Sequence, residues 1–203
     1  LTSLVGSEMC IRDRQRNVQS SSRERNNIPM VSIVGYTNAG KSTLLKKLTN
    51  SDAYAADELF ATVDSLQREL KIKDVQEPII ISDTVGFIQN LPTTLIESFK
   101  STLMVATNAD LLVHVVDAAT ALPEMHINTV SSILKQIDAK SNEIMVFNKI
   151  DKIDKASLNN LKDTYPEALF VSSIKGEGLI ELIEKIAEEI YPLLKKIIKE
   201  KLK

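Results

Sequence analysis

Disulfide chemistry is missing from this sequence, because Cys10 is the single cysteine among 203 residues. One thiol cannot form an intrachain bridge, so the chain is read as the product of a reducing compartment, the cytoplasm. Histidine is nearly as scarce: there are only His114 and His126, and no spacing of Cys and His supports a zinc site. Long apolar runs are lacking too. None approaches the length that crosses a bilayer, and no signal peptide is visible, which argues against a secreted or membrane-spanning chain. Nor does either sign of charge dominate, since 25 Lys and Arg stand against 27 Asp and Glu for a formal charge of -2. Without an overall basic field, no DNA partner is expected. What remains is ordinary for a globular fold, with 43% apolar and 26% charged residues, and the length suits one domain with a sizeable core.

The two ends say less than the middle. Residues 1–28 show no hydrophobic period and are expected to form an unstructured or helical leader. Within it, Ser7-Glu8-Met9-Cys10-Ile11-Arg12-Asp13-Arg14 resembles the translation of a transposon-end sequencing adapter, so residues 1–14 are left out of the fold reasoning. At the other end, apolar residues at 190, 193, 194, 197 and 198 alternate with lysines, the spacing of an amphipathic helix. Residues 191–203 are read as its lysine-rich end, where a short lysine run is ordinarily a solvated face.

Between these ends, residues 29–190 alternate strands with helices. Met30–Val34, Pro78–Ser82, Leu111–Val116, Ile144–Phe147 and Ala168–Val171 are short apolar strands, and Leu70–Ile72 is a weaker one. Helices are predicted from Lys41 onward, over Leu95–Val105, Met125–Gln136 and Ala156–Leu161, and over Leu179–Ile190. Continuous apolar strands separated by helices predict an α/β fold of three layers, a mostly parallel central sheet covered on both faces. In such sheets ligands sit at the C-terminal ends of the strands.

The motifs fall at those ends. Gly35-Tyr36-Thr37-Asn38-Ala39-Gly40-Lys41-Ser42 matches G-x-x-x-x-G-K-S between a strand and a helix. Its glycines let backbone N–H groups turn toward phosphates, and the following helix adds its positive end. Lys41 would reach the β and γ phosphates, and the Ser42 hydroxyl would take a place on Mg²⁺. This motif alone does not separate ATP from GTP, and a P-loop ATPase or kinase stays open at this point. Asp83-Thr84-Val85-Gly86 ends the triple-isoleucine strand, placing Asp83 to hold Mg²⁺ through a water and the Gly86 N–H to bond the γ-phosphate. Asn148-Lys149-Ile150-Asp151 ends another strand. A carboxylate there accepts from the ring N–H and the exocyclic amine of guanine, donors that adenine does not offer on that edge. Ser172-Ser173-Ile174 would complete the base pocket with backbone N–H groups.

Taken in this order, the motifs resemble those of the HflX family of P-loop GTPases, in the translation-factor-related class. Gly35 to Leu44, Thr43 included, Tyr54 to Thr62, Asp83 to Pro92 and His114-Val115-Val116-Asp117 all read like that family. The resemblance marks Thr62, within Phe60-Ala61-Thr62-Val63-Asp64, as a switch threonine that adds a hydroxyl to Mg²⁺. It implies that Ser42, Thr62 and Asp83 hold the metal and that Lys41, Thr62, Gly86 and Asn38 serve catalysis. It further implies GTP hydrolysis to GDP and phosphate, and association with the large ribosomal subunit in splitting or rescuing stalled ribosomes. On the same resemblance the chain is expected to be a monomer and a fragment without the domain that precedes the GTPase domain in the family. Ser65 stands where a proline is common, and Ile174 where a lysine is frequent.

Phe87 stands where many GTPases place a glutamine that orients the attacking water, and a phenyl ring cannot hydrogen-bond water. Slow hydrolysis with acceleration by a partner is therefore expected, and the alternative is a nucleotide-dependent switch that scarcely turns over. Asn38 resembles the asparagine that binds K⁺ in potassium-stimulated relatives, although it also suits a turn with unusual backbone angles. His114 is read as a hydrogen-bonded core residue and His126 as a helix residue without a metal-binding partner.

Overall fold

The computed structural model describes residues 28–49, 67–72, 77–84, 86–87 and 105–201. Six strands form one sheet: β1 Met30–Gly35, β2 Gln67–Leu70, β3 Ile79–Asp83, β4 Leu111–Asp117, β5 Asn142–Asn148 and β6 Leu169–Phe170. Their order across the sheet is β2-β3-β1-β4-β5-β6. All neighbours run parallel except β2, which pairs antiparallel with β3. The helices are α1 Lys41–Thr49, α2 Pro123–Gln136, α3 Lys155–Thr164 and α4 Leu179–Lys201, with a 3₁₀ turn at Ile150–Lys152.

Side-chain alternation along each strand sorts the core into two faces. Val31 and Ile33 of β1, Ile79 and Ile81 of β3, Val113 and Val115 of β4, and Val146 of β5 pack under α1 and α4. Helix α1 contributes Leu44, Leu45 and Leu48, and α4 contributes Leu182, Ile186, Ile190 and Leu194, a stripe spaced every four residues. On the opposite face Met30, Val34 and Leu112 meet Val130, Ile133 and Leu134 of α2. Phe147 and Val116 continue that face toward Leu161 of α3. The continuous apolar strands are thus buried on both sides, as a parallel sheet requires.

The boundaries differ from the sequence reading where tertiary contacts override local pattern. β2 lies at Gln67–Leu70 rather than Leu70–Ile72, because an edge strand needs only its ladder to β3 and one inward residue. That residue is Leu70, while Arg68 and Glu69 face solvent and leave no apolar alternation to read. Helix α2 starts at Pro123, whose fixed φ suits the first turn and whose missing N–H costs nothing there. Asp154 caps α3 by accepting from Ser157 N–H at 2.7 Å, which extends that helix beyond Ala156–Leu161. One helix, α4, runs on through Pro192. Of the helix predicted over Leu95–Val105, only the last residue is described, and 105–107 are helical. No helix among the described residues is long and apolar enough to cross a membrane.

Candidate functional site

Parallel strands β1, β3, β4 and β5 end along one edge, at Gly35, Asp83, Asp117 and Asn148. The chain enters at β1 and places β3 on one side of it and β4 on the other, so this edge lies at a topological switch point.

The loop after β1 is held in shape by close backbone contact. A Cβ on Gly35 would lie 2.3 Å from the Val115 carbonyl oxygen of β4, so a side chain there would force the strands apart. Asn38 has φ 59° and Gly40 φ 91°, two left-handed positions that curl the loop before α1 begins at Lys41. From that first turn the Lys41 Nζ reaches back to donate to the Tyr36 carbonyl at 3.0 Å. Burial lowers the Lys41 pKa from its ordinary 10.5 to about 8, Asp83 opposes that fall, and Lys149 adds to it.

Alternation in β3 decides where Asp83 points. With Ile79 and Ile81 under α1, Asp83 shares their face, and its Oδ2 accepts from the Ser42 hydroxyl at 2.5 Å. Thr84 continues the strand and donates to the Ile33 carbonyl at 2.8 Å. Gly86 then passes close to the loop: a Cβ on it would lie 2.7 Å from Thr37 Cγ2 and 3.2 Å from Lys41 Nζ. Backbone bonds from Thr37 to Phe87 and from Phe87 to Gly35, at 3.0 and 3.1 Å, pair the two segments. The Phe87 side chain is 1% exposed and packs among Met30, Val34, Leu112 and Val130. It points into the core rather than toward the strand ends.

After β5, Asn148 is buried and spans the site. Its Nδ2 donates to the Ala39 carbonyl at 3.0 Å, while its Oδ1 accepts from the Ser173 N–H at 3.0 Å and the Ser173 hydroxyl at 2.8 Å. Lys149, at φ 67°, lays its stem along the loop, and its ammonium donates to the Asn38 carbonyl at 2.5 Å and the Asp117 carboxylate at 2.8 Å. Asp151 lies in the 3₁₀ turn with Ile150, and its Oδ1 accepts from the Ser172 hydroxyl at 2.5 Å. Ile174, in the turn after Ser173, is 63% exposed.

Most of the residues singled out in the sequence therefore gather at one edge, from Gly35 to Ser42 with Thr43 following on α1, together with Asp83, Thr84, Gly86, Asn148 to Asp151 and Ser172 to Ile174. Phe60, Ala61, Thr62, Val63, Asp64 and Val85 lie outside the described residues. Two neighbours of these residues were given no site role in the sequence reading. Asp117 anchors Lys149 and also accepts from the Ala119 N–H at 2.9 Å; its place at the end of an apolar strand was the available signal. His126 of α2 stacks on Tyr36, and no local pattern marks that contact. His114 is buried and hydrogen-bonded to Glu143 at 2.7 Å, a core residue as expected.

The donor chemistry beside Lys41 fits Mg²⁺. A hydroxyl and a carboxylate meet there as hard oxygen donors, and this ion ordinarily takes one or two protein oxygens, with waters and phosphate completing its shell. No group of three or more His, Cys, Asp or Glu side chains suited to a metal occurs among the described residues.

Comparison with known proteins agrees with this geometry. The family model described as a 50S ribosome-binding GTPase matches residues 30–149. The chain is 43% identical over 180 residues to the GTPase HflX of Caldanaerobacter subterraneus subsp. tengcongensis, covering 88% of this chain and 41% of that protein. To the GTPase HflX of Escherichia coli K12 it is 39% identical over 181 residues, covering 88% and 42% respectively. It thus spans less than half the length of these relatives. Among solved structures, a GTP-binding protein from Sulfolobus solfataricus in complex with GDP superposes with a TM-score of 0.62 at 25% identity, over 95% of this chain and 62% of that one. With its phosphate loop, D-x-x-G turn and N-K-I-D turn on one sheet edge, and with its likeness to the HflX GTPases, the chain belongs to the 50S ribosome-binding GTPase family.

Proposed function

We propose that this chain binds guanine nucleotides at the described edge, hydrolyses GTP to GDP and phosphate, and acts in association with the large ribosomal subunit. The observation that carries this reading is the convergence of buried Lys41, the Ser42–Asp83 pair and the Asp151–Ser172 pair on a single sheet edge. The first two suit a magnesium-bound polyphosphate and the third suits guanine. Family membership and the names of the relatives support the same reading.

In this mechanism the loop from Gly35 to Gly40 wraps the phosphates with backbone N–H groups. Lys41 keeps one N–H on the Tyr36 carbonyl and offers the others to phosphate oxygens, where its ammonium meets the charge that develops as the terminal phosphoryl leaves. Ser42 and Asp83 would hold Mg²⁺, joined by Thr62 on the family resemblance, and the ion would supply positive charge to the phosphates. Gly86 lets its strand end approach the γ position, because any side chain would collide with Thr37. Asp151 presents a carboxylate to the two donors of guanine, with Ser172 holding one of its oxygens. Lys149 and Asn148 keep the base turn fixed to the phosphate loop.

The buried Phe87 ring offers the attacking water nothing. Slow hydrolysis alone and acceleration by a partner follow, and a K⁺ held near Asn38 would supply positive charge in place of an arginine. A switch with negligible turnover is the second reading, and the same buried ring favours it. Phosphate release from GTP in KCl, with and without purified large ribosomal subunits, separates the two. Stimulation by subunits supports the hydrolase, whereas GDP binding with no turnover under either condition supports the switch. Competition by ADP as strong as by GDP would remove the guanine assignment altogether.

A further inference from the structure

Tyr36 is the first residue after Gly35, and its carbonyl is the acceptor that holds the Lys41 ammonium at 3.0 Å and receives the Ala39 N–H at 3.3 Å. Backbone bonds fix the residues around it, and the Tyr36 side chain, which also packs against the core beside Phe87, has a flat partner on one face. The Tyr36 ring lies on the imidazole of His126, with centroids 4.0 Å apart and planes 7° from parallel. His126 sits on the first turns of α2, whose Val130, Ile133 and Leu134 are locked into the same core as Phe87 and Leu112. The imidazole therefore rests on a rigid base.

Among the described residues its Nδ1 is buried without a hydrogen-bond partner, so no bond there from these residues orients the ring. Burial also lowers the His126 pKa, with Asp117 opposing. Stacked flat on Tyr36, the ring braces the loop by packing.

We infer that His126 is a positioning residue for the nucleotide site: by stacking on Tyr36 it holds the loop carbonyl that carries Lys41, and so sets how well the loop grips the diphosphate. This rests on the guanine-nucleotide reading above. A stacked aromatic pair contributes enough that losing it should accelerate GDP release by about threefold to tenfold.

The test measures release of fluorescently labelled GDP from the full chain in six forms: wild type, His126→Ala, His126→Leu, His126→Phe, Tyr36→Ala and the double alanine variant. Urea unfolding without nucleotide runs alongside. His126→Ala and Tyr36→Ala should each release GDP faster, and the double variant should be no faster than the faster single one. His126→Phe should return release to within about twofold of wild type, because the flat ring is restored. His126→Leu keeps apolar volume without a ring, so it should unfold like wild type and still release GDP like His126→Ala. The inference is overturned if wild type holds GDP tightly and His126→Leu releases it at the same rate. It is equally overturned if the two alanine effects multiply in the double variant, or if His126→Phe is as fast as His126→Ala. A wild-type chain that does not hold GDP would instead refute the nucleotide reading on which it rests.

Discussion

Asn148 offers the sharpest test of how the site is built. If its amide served the base alone, removing it would weaken nucleotide binding and leave the empty protein untouched. The structure places it otherwise. Three hydrogen bonds, to the Ala39 carbonyl, the Ser173 N–H and the Ser173 hydroxyl, use the amide with no nucleotide present. Asn148 and Ser173 are only 1% and 2% exposed, so in Asn148→Ala the orphaned groups would sit away from water. At about 1 kcal/mol for each net hydrogen bond, the loss is roughly 3 kcal/mol, a large part of the 5–15 kcal/mol that typically stabilises a domain. For a chain of this length that corresponds to a fall in melting temperature of about 6–12 °C. The assay is thermal unfolding of nucleotide-free protein, with Ser173→Ala as a companion. Serine loses its hydroxyl but keeps its N–H bonded to Asn148, so it should cost about 1 kcal/mol. If Asn148→Ala melts within a degree of wild type without nucleotide while GDP binding collapses, the tie between the loops is not structural and this reasoning fails.

Other consequences follow from the same geometry. Asp151→Asn removes a charged acceptor from the guanine edge and should weaken GDP binding by about 10- to 100-fold, read by calorimetry, with little change in nucleotide-free stability. Because Lys41 is depressed to about 8, GDP affinity should be flat below that pH and fall as pH rises above it, since the nucleotide needs the ammonium. Nucleotide-free stability should move the opposite way. Between about 8 and 10.5 the unfolded chain binds the Lys41 proton and the folded chain does not, so this group's contribution rises with pH over that window. Affinity and stability falling together there would contradict the assignment. Hydrolysis in KCl should exceed that in NaCl if Asn38 helps hold K⁺, and equal rates would eliminate that ion.

The sequence alone determined the class of the protein and the motifs that line its edge. Triple isoleucine, Leu111–Val116 and their counterparts read as buried parallel strands because apolar continuity is local, and a strand, a glycine turn and a helix in succession form a phosphate loop within about fifteen residues. G-x-x-x-x-G-K-S, D-x-x-G and N-K-I-D are legible for the same reason: each is a contiguous turn whose backbone does the work. Tertiary structure decided which side chains meet across that edge. Asn148 reaches Ala39 over 109 residues, and Lys149 reaches Asp117 over 32. Tyr36 meets His126 from another helix. These pairings depend on strand order and register, which no periodicity in a single segment encodes. Local pattern also failed at the edge. β2 has one buried residue and runs antiparallel, because hydrogen bonding to β3 rather than burial defines it. Phe87 could be seen in the sequence to lack a hydrogen bond for water, but only the packing of β1, β4 and α2 sent its ring into the core.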